Sequence, residues 1–310
     1  MSSLIAHPAA PANSSAAASA LVPEADFSGL WIALVTPFRD GAVDHHALTA
    51  LVKRLALQGV AGFVACGSTG EAAALDESEQ LAVLATVREA APELPRILGL
   101  GGENLDPMLR RLEALAALDL HGILVPPPAY IRPAQDGLHR WFTRIADASA
   151  HPVVVYDIPY RTGATLHLDT LRALARHPRI QALKDCSGDG AKLRALLHGG
   201  DLQVLSGEDL QIFGTVAEGG VGAISASAHI RTARFAEVIA LLRAGRLDAA
   251  RERWRPLPAL IDALFAHPNP AGIKALLASH GELQNTLREP MTRAPEGLLE
   301  RLRALEAAAG

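Results

Sequence analysis

The sequence predicts a (β/α)8 barrel with a helical appendage at its C-terminal end. From residue 30 onward, short apolar runs of the β type alternate with longer segments whose apolar residues recur every three or four positions. Near-continuous apolar strands that are joined by helices are typical of a parallel sheet covered by helices. Because there are eight such runs, we expect the sheet to close into a barrel rather than remain open.

The predicted strands are short and rich in aliphatic residues. They comprise residues 30–35, 62–66, 96–100, 122–125, 153–156, 180–184, 203–205 and 222–225. Helices between the first strands are predicted at residues 46–57, 78–91, 107–118 and 138–150. Acidic residues precede these helices, as is common at helix N-termini, namely Asp44, Asp76, Asp106 and Asp136.

An open dinucleotide-binding sheet is the main alternative fold, and it would place G-x-G-x-x-G after an early strand. The nearest match, at residues 99–104, lacks the third glycine and follows the third predicted strand. After the last strand, helical patterns continue at residues 232–244, 247–265, 270–279 and 296–307. We therefore expect the barrel to occupy residues 27–231, with its last helix and a C-terminal helical region in residues 232–310.

The composition is typical of a cytoplasmic globular enzyme. The 310 residues are 49% hydrophobic and carry a formal net charge of −4, which provides no basic field for nucleic acid or anionic lipid. No apolar run approaches the ~20 residues that a membrane helix needs. The two cysteines, Cys66 and Cys186, cannot form a disulfide framework, so a reducing compartment fits best. Residues 1–26 contain no lysine or arginine, which favours a flexible tail over a signal or transit peptide.

Polar residues accumulate where the predicted strands end. Function in barrels of this class lies at the C-terminal ends of the strands. Hydroxyl, phenol, guanidinium and amine groups follow four of the strands, at residues 66–71, 126–133, 156–163 and 184–188. We therefore expect an active site at that rim.

Lys184 is the strongest candidate for a catalytic nucleophile. Lysine is rare in this chain, which has only four lysines among its 29 Lys and Arg residues. Lys184 ends an apolar strand, where its amine should be largely desolvated. Burial disfavours the ammonium form and can lower a lysine pKa by up to ~3–5, which would leave a neutral amine able to attack a carbonyl group. The structural alternative is a lysine that pairs with Asp185 or extends to solvent.

Four further residues could assist such a lysine. Tyr156 ends the neighbouring strand, so its hydroxyl could shuttle protons during imine formation. Ser68 and Thr69 lie in a turn bracketed by glycines, where they could hold a carboxylate or relay a proton. Arg161 offers a planar fork suited to a carboxylate. The structural alternatives are a core tyrosine, helix-capping hydroxyls and an exposed surface arginine.

Taken in order, these motifs resemble those of the dihydrodipicolinate synthase and N-acetylneuraminate lyase family of class I aldolases. The resemblance covers residues 27–293. It rests on A-L-V-T-P-F-R-D-G-x-V-D at 33–44, G-S-T-G-E at 67–71, Y-x-x-P-x-R-T-G at 156–163, Lys184-Asp185, L-S-G-E-D at 205–209, G-A-I-S at 222–225, and Asn269-Pro270 with Lys274. Members of this family are barrels with a helical C-terminal region, and they are usually tetramers built from two tight dimers.

The resemblance implies a role for each candidate. Lys184 would form a Schiff base with pyruvate, and Tyr156 would shuttle protons. Thr69 would relay protons, and Ser68 would help to hold the pyruvate carboxylate. Tyr130 would cross the tight-dimer interface and complete the relay of the neighbouring subunit.

Three more positions match family residues that contact the substrate. Arg161 corresponds to the arginine that binds the carboxylate of the aldehyde, and Gly207 and Ile224 correspond to residues that line the pocket. The resemblance implies no cofactor beyond the covalent Schiff base on Lys184, and no metal. The expected partners are a small 2-oxo acid, an aldehyde and further copies of the same chain.

Within the family we expect the synthase branch, although some residues favour other branches. Arg161 favours the synthase branch, which condenses pyruvate with aspartate semialdehyde in lysine and diaminopimelate biosynthesis. Ser68, where most synthases have threonine, Asp157 for a usual asparagine and Ala129 for a usual tyrosine favour other branches. The alternative is another pyruvate-dependent aldolase or a 2-keto-3-deoxy sugar-acid lyase or dehydratase.

Functions of a different class have weaker support. A non-catalytic or phosphate-binding barrel would use the loops after strands seven and eight, where Ser206 and Gly207 could contribute. No basic residue closely accompanies those loops. A metal-dependent aldolase has little support, because the adjacent His45 and His46 have no partners at ligand spacing.

Overall fold

A computed structural model describes residues 24–310, and its centre is a closed barrel of eight parallel strands. The strands are β1 (Gly29–Ala33), β2 (Gly62–Ala65), β3 (Arg96–Gly99), β4 (Gly122–Val125), β5 (Val153–Asp157), β6 (Ile180–Asp185), β7 (Gln203–Ser206) and β8 (Gly222–Ser225). Each strand pairs with the next in the chain, and β8 pairs with β1, with Leu30 opposite Ala223. The predicted (β/α)8 barrel is therefore confirmed.

Helices surround the barrel and continue beyond its last strand. They are α1 (His45–Ala56), α2 (Glu77–Ala90), α3 (Leu105–Leu115), α4 (Gln135–Ala148), α5 (Pro159–Thr162), α6 (Leu168–Leu174), α7 (Gly190–Gly199), α8 (Ile212–Ala217), α9 (Thr232–Arg243), α10 (Leu247–Trp254), α11 (Leu257–Leu264), α12 (Ala271–Ser279) and α13 (Glu296–Ala308). A short antiparallel ribbon, Phe38–Arg39 with Ala42–Val43, follows β1. Helices α10 to α13 form the C-terminal appendage, and α11, α12 and α13 pack on one another.

Two of the four acidic residues do not precede their helices as predicted. Asp44 and Asp76 cap α1 and α2, but Asp106 and Asp136 lie inside the first turns of α3 and α4. The side chain of Asn104 caps α3, and α4 has no side-chain cap. Carboxylates in a first turn also interact favourably with the helix dipole. An acidic residue near a helix start therefore does not show by itself whether it precedes the helix or lies in its first turn.

The single helix predicted at residues 247–265 is wrong, because the chain forms α10 and α11 there instead. Pro256 and Pro258 explain the break. A proline has no backbone N–H group and its ring collides with the preceding turn, so neither can lie in a helix interior, although both are tolerated where α11 begins.

The first described residues contact the N-terminal ends of the strands. The N–H group of Ala25 donates to Gln181 Oε1 at 2.9 Å, and Gln203 Nε2 donates to the Ala25 carbonyl at 2.7 Å. Phe27 is fully buried beside Trp31. Of the predicted tail, residues 1–23 lie outside the described residues. No helix within residues 24–310 combines the length and the apolar character that crossing a membrane requires.

Candidate active site

A cavity of ≈ 300 Å³ opens at the C-terminal ends of the strands. Seven of the eight predicted site residues line it, and Tyr130 is not among them. The seven are Ser68, Thr69, Tyr156, Arg161, Lys184, Gly207 and Ile224. The cavity is also lined by residues that were not predicted to be in the site, namely Tyr160, Glu208, Asp209, Ala226, Phe265, His267, Pro268 and Asn269.

Lys184 lies near the end of β6, directly opposite Tyr156 in the pairing of β5 with β6. Only 5% of Lys184 is exposed, and its Nζ lies 4.3 Å from the centre of the Tyr156 ring. Burial lowers the pKa of Lys184 below the ordinary lysine value, although nearby Cys186 and Asp209 oppose that shift. A larger fraction of this amine is therefore in the neutral, nucleophilic form than for an exposed lysine.

Tyr156 is buried, and burial holds the pKa of its phenol well above the ordinary value. Its hydroxyl is in polar contact with the side chain of Ser68. A phenol that remains protonated at neutral pH can donate a proton to a neighbouring oxygen and recover it later. Tyr156 therefore has the chemical form and the position of a general acid–base group next to the amine.

Thr69 lies in the 3₁₀ turn Ser68–Gly70, which follows β2. Its side chain is buried, and its Oγ1 accepts a hydrogen bond from Asn269 Nδ2 at 2.8 Å. That bond occupies an acceptor position on Oγ1, so the Thr69 hydroxyl proton is available for another partner. Asn269 comes from the segment just before α12, and its role was not predicted because it lies 200 residues away in the chain.

A buried ion pair anchors the same turn to the C-terminal region. Glu71 adopts a left-handed backbone with φ of 54°, which is unusual for a residue with a side chain. Its Oε1 accepts a hydrogen bond from Lys274 Nζ at 2.5 Å, and Lys274 Nζ also donates to the Thr286 carbonyl at 2.9 Å. Burial lowers the pKa of Lys274 to about 8. The pair therefore holds α12 against the turn that carries Ser68 and Thr69.

A second buried ion pair lies behind the reactive lysine. Asp157 and Asp185 are opposite each other in β5 and β6, one residue after Tyr156 and Lys184. Side chains alternate along a strand, so these carboxylates face the surrounding helices rather than the cavity. Lys192 on α7 donates to Asp157 Oδ2 at 2.6 Å. Burial raises the pKa of both carboxyl groups, and Lys192 opposes the shift.

Tyr130 is separate from the cavity and 90% exposed. Its backbone has φ of 70°, in the left-handed region, and its N–H group donates to the Thr162 carbonyl at 3.2 Å. The neighbouring Ile131 is also exposed. Two adjacent large side chains therefore project into solvent from one strained loop.

The thiols and the histidine pair have ordinary structural environments. Cys66 and Cys186 are both buried, and burial raises the pKa of both thiols, that of Cys66 to about 12. His45 contacts Thr86 Oγ1 through Nδ1, and His46 is exposed. In the described part of the chain, no group of three or more His, Cys, Asp or Glu side chains is arranged to hold a metal ion.

Comparison with known proteins identifies relatives over nearly the whole described chain. Residues 26–308 match the Dihydrodipicolinate synthetase family. A 4-hydroxy-tetrahydrodipicolinate synthase from Sorangium cellulosum is 38% identical, with 90% of this chain and 96% of the relative covered. 4-Hydroxy-tetrahydrodipicolinate synthase 2 of Clostridium acetobutylicum is 36% identical, with 88% and 97% covered.

The fold has the same relatives among solved structures. The chloride-inhibited dihydrodipicolinate synthase from Acinetobacter baumannii, solved in complex with pyruvate, is 32% identical and superimposes with a TM-score of 0.89. That match covers 92% of this chain and 99% of the other. The resemblance that the sequence motifs indicated is thus confirmed, and the chain belongs to the dihydrodipicolinate synthetase family.

Proposed function

We propose that the chain is a 4-hydroxy-tetrahydrodipicolinate synthase, which condenses pyruvate with aspartate semialdehyde through a Schiff base on Lys184. One observation carries the proposal: Lys184 is a buried amine with a lowered pKa, facing Tyr156 in a cavity that also contains the hydroxyls of Ser68 and Thr69. The names of the relatives in the two comparisons support the same activity.

The chemistry begins with attack of the neutral Lys184 amine on the keto carbon of pyruvate. The carbonyl oxygen must gain two protons and leave as water, and the amine must lose its two protons as the imine forms. Tyr156, with its raised pKa, is suited to deliver and recover these protons, and Thr69 to relay them. Ser68, whose side chain is in polar contact with the Tyr156 hydroxyl, would hold the pyruvate carboxylate.

Arg161 is the candidate for binding the aldehyde substrate. Its side chain lines the cavity beside Tyr160, with Cζ 5.6 Å from the centre of that ring. A guanidinium at the mouth of a cavity can form two parallel hydrogen bonds with a carboxylate. We therefore assign it to the carboxylate of the aldehyde, while Gly207 and Ile224 form part of the pocket wall.

The proposal includes the assembly and the location of the enzyme. We propose a homotetramer built from two tight dimers, in which Tyr130 of one subunit completes the site of its neighbour. The reaction needs no cofactor and no metal, because the lysine amine itself activates the 2-oxo acid. We place the enzyme in the cytoplasm, where its substrates are small metabolites and both thiols stay reduced.

Reductive trapping tests the Schiff base directly. Treatment with pyruvate and borohydride should inactivate the enzyme and add one reduced pyruvyl group to the peptide that contains Lys184. Lys184→Arg should abolish the labelling, because a guanidinium cannot be deprotonated at working pH. Lys53→Arg, at an exposed position of α1, is the matched control and should still be labelled at Lys184. Labelling of another lysine in the wild-type enzyme would refute the assignment.

A panel of aldehydes with pyruvate then identifies the reaction. Condensation with aspartate semialdehyde supports the synthase. If the enzyme ignores aspartate semialdehyde but cleaves a 2-keto-3-deoxy sugar acid, the alternative branch of the family is correct and Lys184 keeps its role.

A further inference from the structure

We infer that Glu208 binds the ammonium group of the aldehyde substrate, so that the enzyme selects α-amino acid aldehydes over aldehydes without an amino group. The inference rests on the proposed function, and it adds a second charged contact to the one assigned to Arg161. It follows from which charges in the cavity are already paired and which are not.

Two carboxylates line the cavity, and they differ in what they contact. Asp209 is buried, and its Oδ2 accepts hydrogen bonds from the N–H groups of Ala226 at 3.1 Å and Ser227 at 2.7 Å. It therefore holds the loop that follows β8. Glu208 is half-buried, and its carboxylate is in polar contact with the Cys186 thiol and the Tyr160 hydroxyl. Its Oε1 accepts no hydrogen bond from the residues of the described chain.

Glu208 is held next to the reactive lysine by its backbone. The Gly207 N–H group donates to the Asp185 carbonyl at 2.8 Å, and the Ser206 hydroxyl donates to the Glu208 carbonyl at 2.9 Å. A Cβ atom at Gly207 would lie 2.8 Å from Cγ of Lys184, so only glycine lets the chain pass this close. The Glu208 side chain thus starts beside the position where the Schiff base forms.

The Glu208 carboxylate forms no ion pair with a residue of the described chain. Burial raises its pKa above the ordinary value and the adjacent Asp209 raises it further, while hydrogen bonds with Cys186 and Tyr160 and the charge of Lys184 lower it. After reaction with pyruvate, Lys184 is part of an imine and, once a proton leaves the pyruvate methyl group, of a neutral enamine that offers no ammonium group to Glu208. A cation supplied by the second substrate would then restore a partner to the carboxylate.

The spacing of the two charged groups fits an α-amino acid. The Tyr160 hydroxyl is in polar contact with both the Arg161 and the Glu208 side chains, so one phenol bridges the cation and the anion. An α-amino acid has its carboxylate and its ammonium group on the same carbon, so their binding groups must be neighbours. A sugar acid offers a carboxylate and hydroxyls but no cation to pair with Glu208.

A pair of aldehydes that differ only in the amino group tests this inference. Aspartate semialdehyde has the ammonium group, and succinate semialdehyde is the same chain without it. Wild-type enzyme should have a higher kcat/KM for aspartate semialdehyde. Glu208→Gln should lower kcat/KM for aspartate semialdehyde by ~10- to 100-fold, the loss expected for one charge-assisted hydrogen bond, and leave the value for succinate semialdehyde nearly unchanged.

Two further variants make the result specific. Arg161→Ala should lower kcat/KM for both aldehydes, because both have the carboxylate. Glu208→Asp should keep part of the preference for aspartate semialdehyde, because it retains the charge. Borohydride trapping of pyruvate on Lys184 in Glu208→Gln reports that the folded site remains competent.

The possible failures are distinguishable. If Glu208→Gln lowers kcat/KM for both aldehydes equally, or for neither, the inference is overturned while wild-type turnover of aspartate semialdehyde still supports the proposed function. If the wild-type enzyme turns over aspartate semialdehyde no better than succinate semialdehyde, the ammonium site does not exist. If it uses neither aldehyde, the proposed function itself fails.

Discussion

The reactivity of Lys184 depends on how much of its amine is unprotonated, and burial lowers its pKa. The groups around it act in both directions: Cys186, Asp209 and Glu208 raise the pKa, and Arg161 lowers it. Because desolvation is the largest influence, the rate of trapping by pyruvate and cyanoborohydride should rise with pH and reach half its maximum below pH ~10.4, the ordinary pKa of lysine.

The appropriate control for that pH profile is a variant that removes one cation from the surroundings. Arg161→Ala should move the midpoint upward, because the nearby positive charge that disfavours the ammonium form is gone. A wild-type midpoint at or above the ordinary lysine value would contradict the conclusion that burial governs this amine.

Individual residues differ in how far the sequence identifies them. Lys184 and Tyr156 are predictable because each lies at the end of an apolar strand, and the position of a strand end is set by local sequence. Asn269 and Glu208 are not predictable in this way. Asn269 gains its importance from Thr69, 200 residues away, and Glu208 differs from Asp209 only because backbone N–H groups after β8 occupy the latter.

At the scale of secondary structure, the ion pair of Asp157 and Lys192 connects β5 to α7 behind the active site. Lys192→Met would leave the buried carboxylates of Asp157 and Asp185 without their cation, which should cost about 3–5 kcal/mol of unfolding free energy. Asp157→Asn should cost less, because the amide oxygen can still accept from Lys192, which also donates to the Leu166 carbonyl at 3.0 Å.

The pH dependence separates this explanation from a simple packing defect. Lys192 lowers the pKa of both carboxyl groups, so its removal raises them further and the folded state binds more protons than the unfolded state. Stability of Lys192→Met should therefore fall as pH rises above ~4. Denaturant unfolding at pH 5 and pH 8 measures this. If Lys192→Met lowers the free energy of unfolding by the same amount at both pH values, the loss reflects packing rather than charge.

Secondary structure is well predicted in the barrel and less well at its periphery. The strands are predictable because β-type apolar runs are short and flanked by polar residues, and all eight lie within two residues of their predicted bounds. The first residue of a helix is harder to predict. An acidic residue interacts favourably with the helix dipole both inside the first turn, where Asp106 lies, and at the cap before it. The division into α10 and α11 follows from Pro256 and Pro258, which the periodicity of apolar residues does not register.

At the scale of the whole molecule, two adjacent exposed side chains indicate a contact outside the subunit. Tyr130 and Ile131 are 90% and 55% exposed, and Tyr130 has a strained backbone. Residues with a strained backbone conformation cluster at functional sites, where the surrounding structure holds them in place. A second copy of the chain that covers this loop would bury both side chains, as in the proposed tight dimer.

Complementation between inactive variants tests whether Tyr130 acts on its neighbour. Tyr130→Phe and Tyr156→Phe should each cut turnover by roughly 10²–10⁴, the range for a lost proton-transfer group. In a mixed dimer, one site combines the intact Tyr156 of one chain with the intact Tyr130 of the other. Random mixing of the two variants should thus restore about a quarter of wild-type activity, since half of the dimers are mixed and each has one intact site.

The matched control is the pair Lys184→Arg and Tyr156→Phe, whose side chains line the same cavity of one chain. Neither site of that mixed dimer contains both groups, so the mixture should stay inactive. Two different affinity tags allow each mixed dimer to be purified before its turnover is measured. An inactive dimer of Tyr130→Phe with Tyr156→Phe would mean that Tyr130 serves its own subunit. Since Tyr130 lies outside the cavity of its own chain, only a partner that brings it to a second cavity gives this exposed tyrosine a place in the reaction.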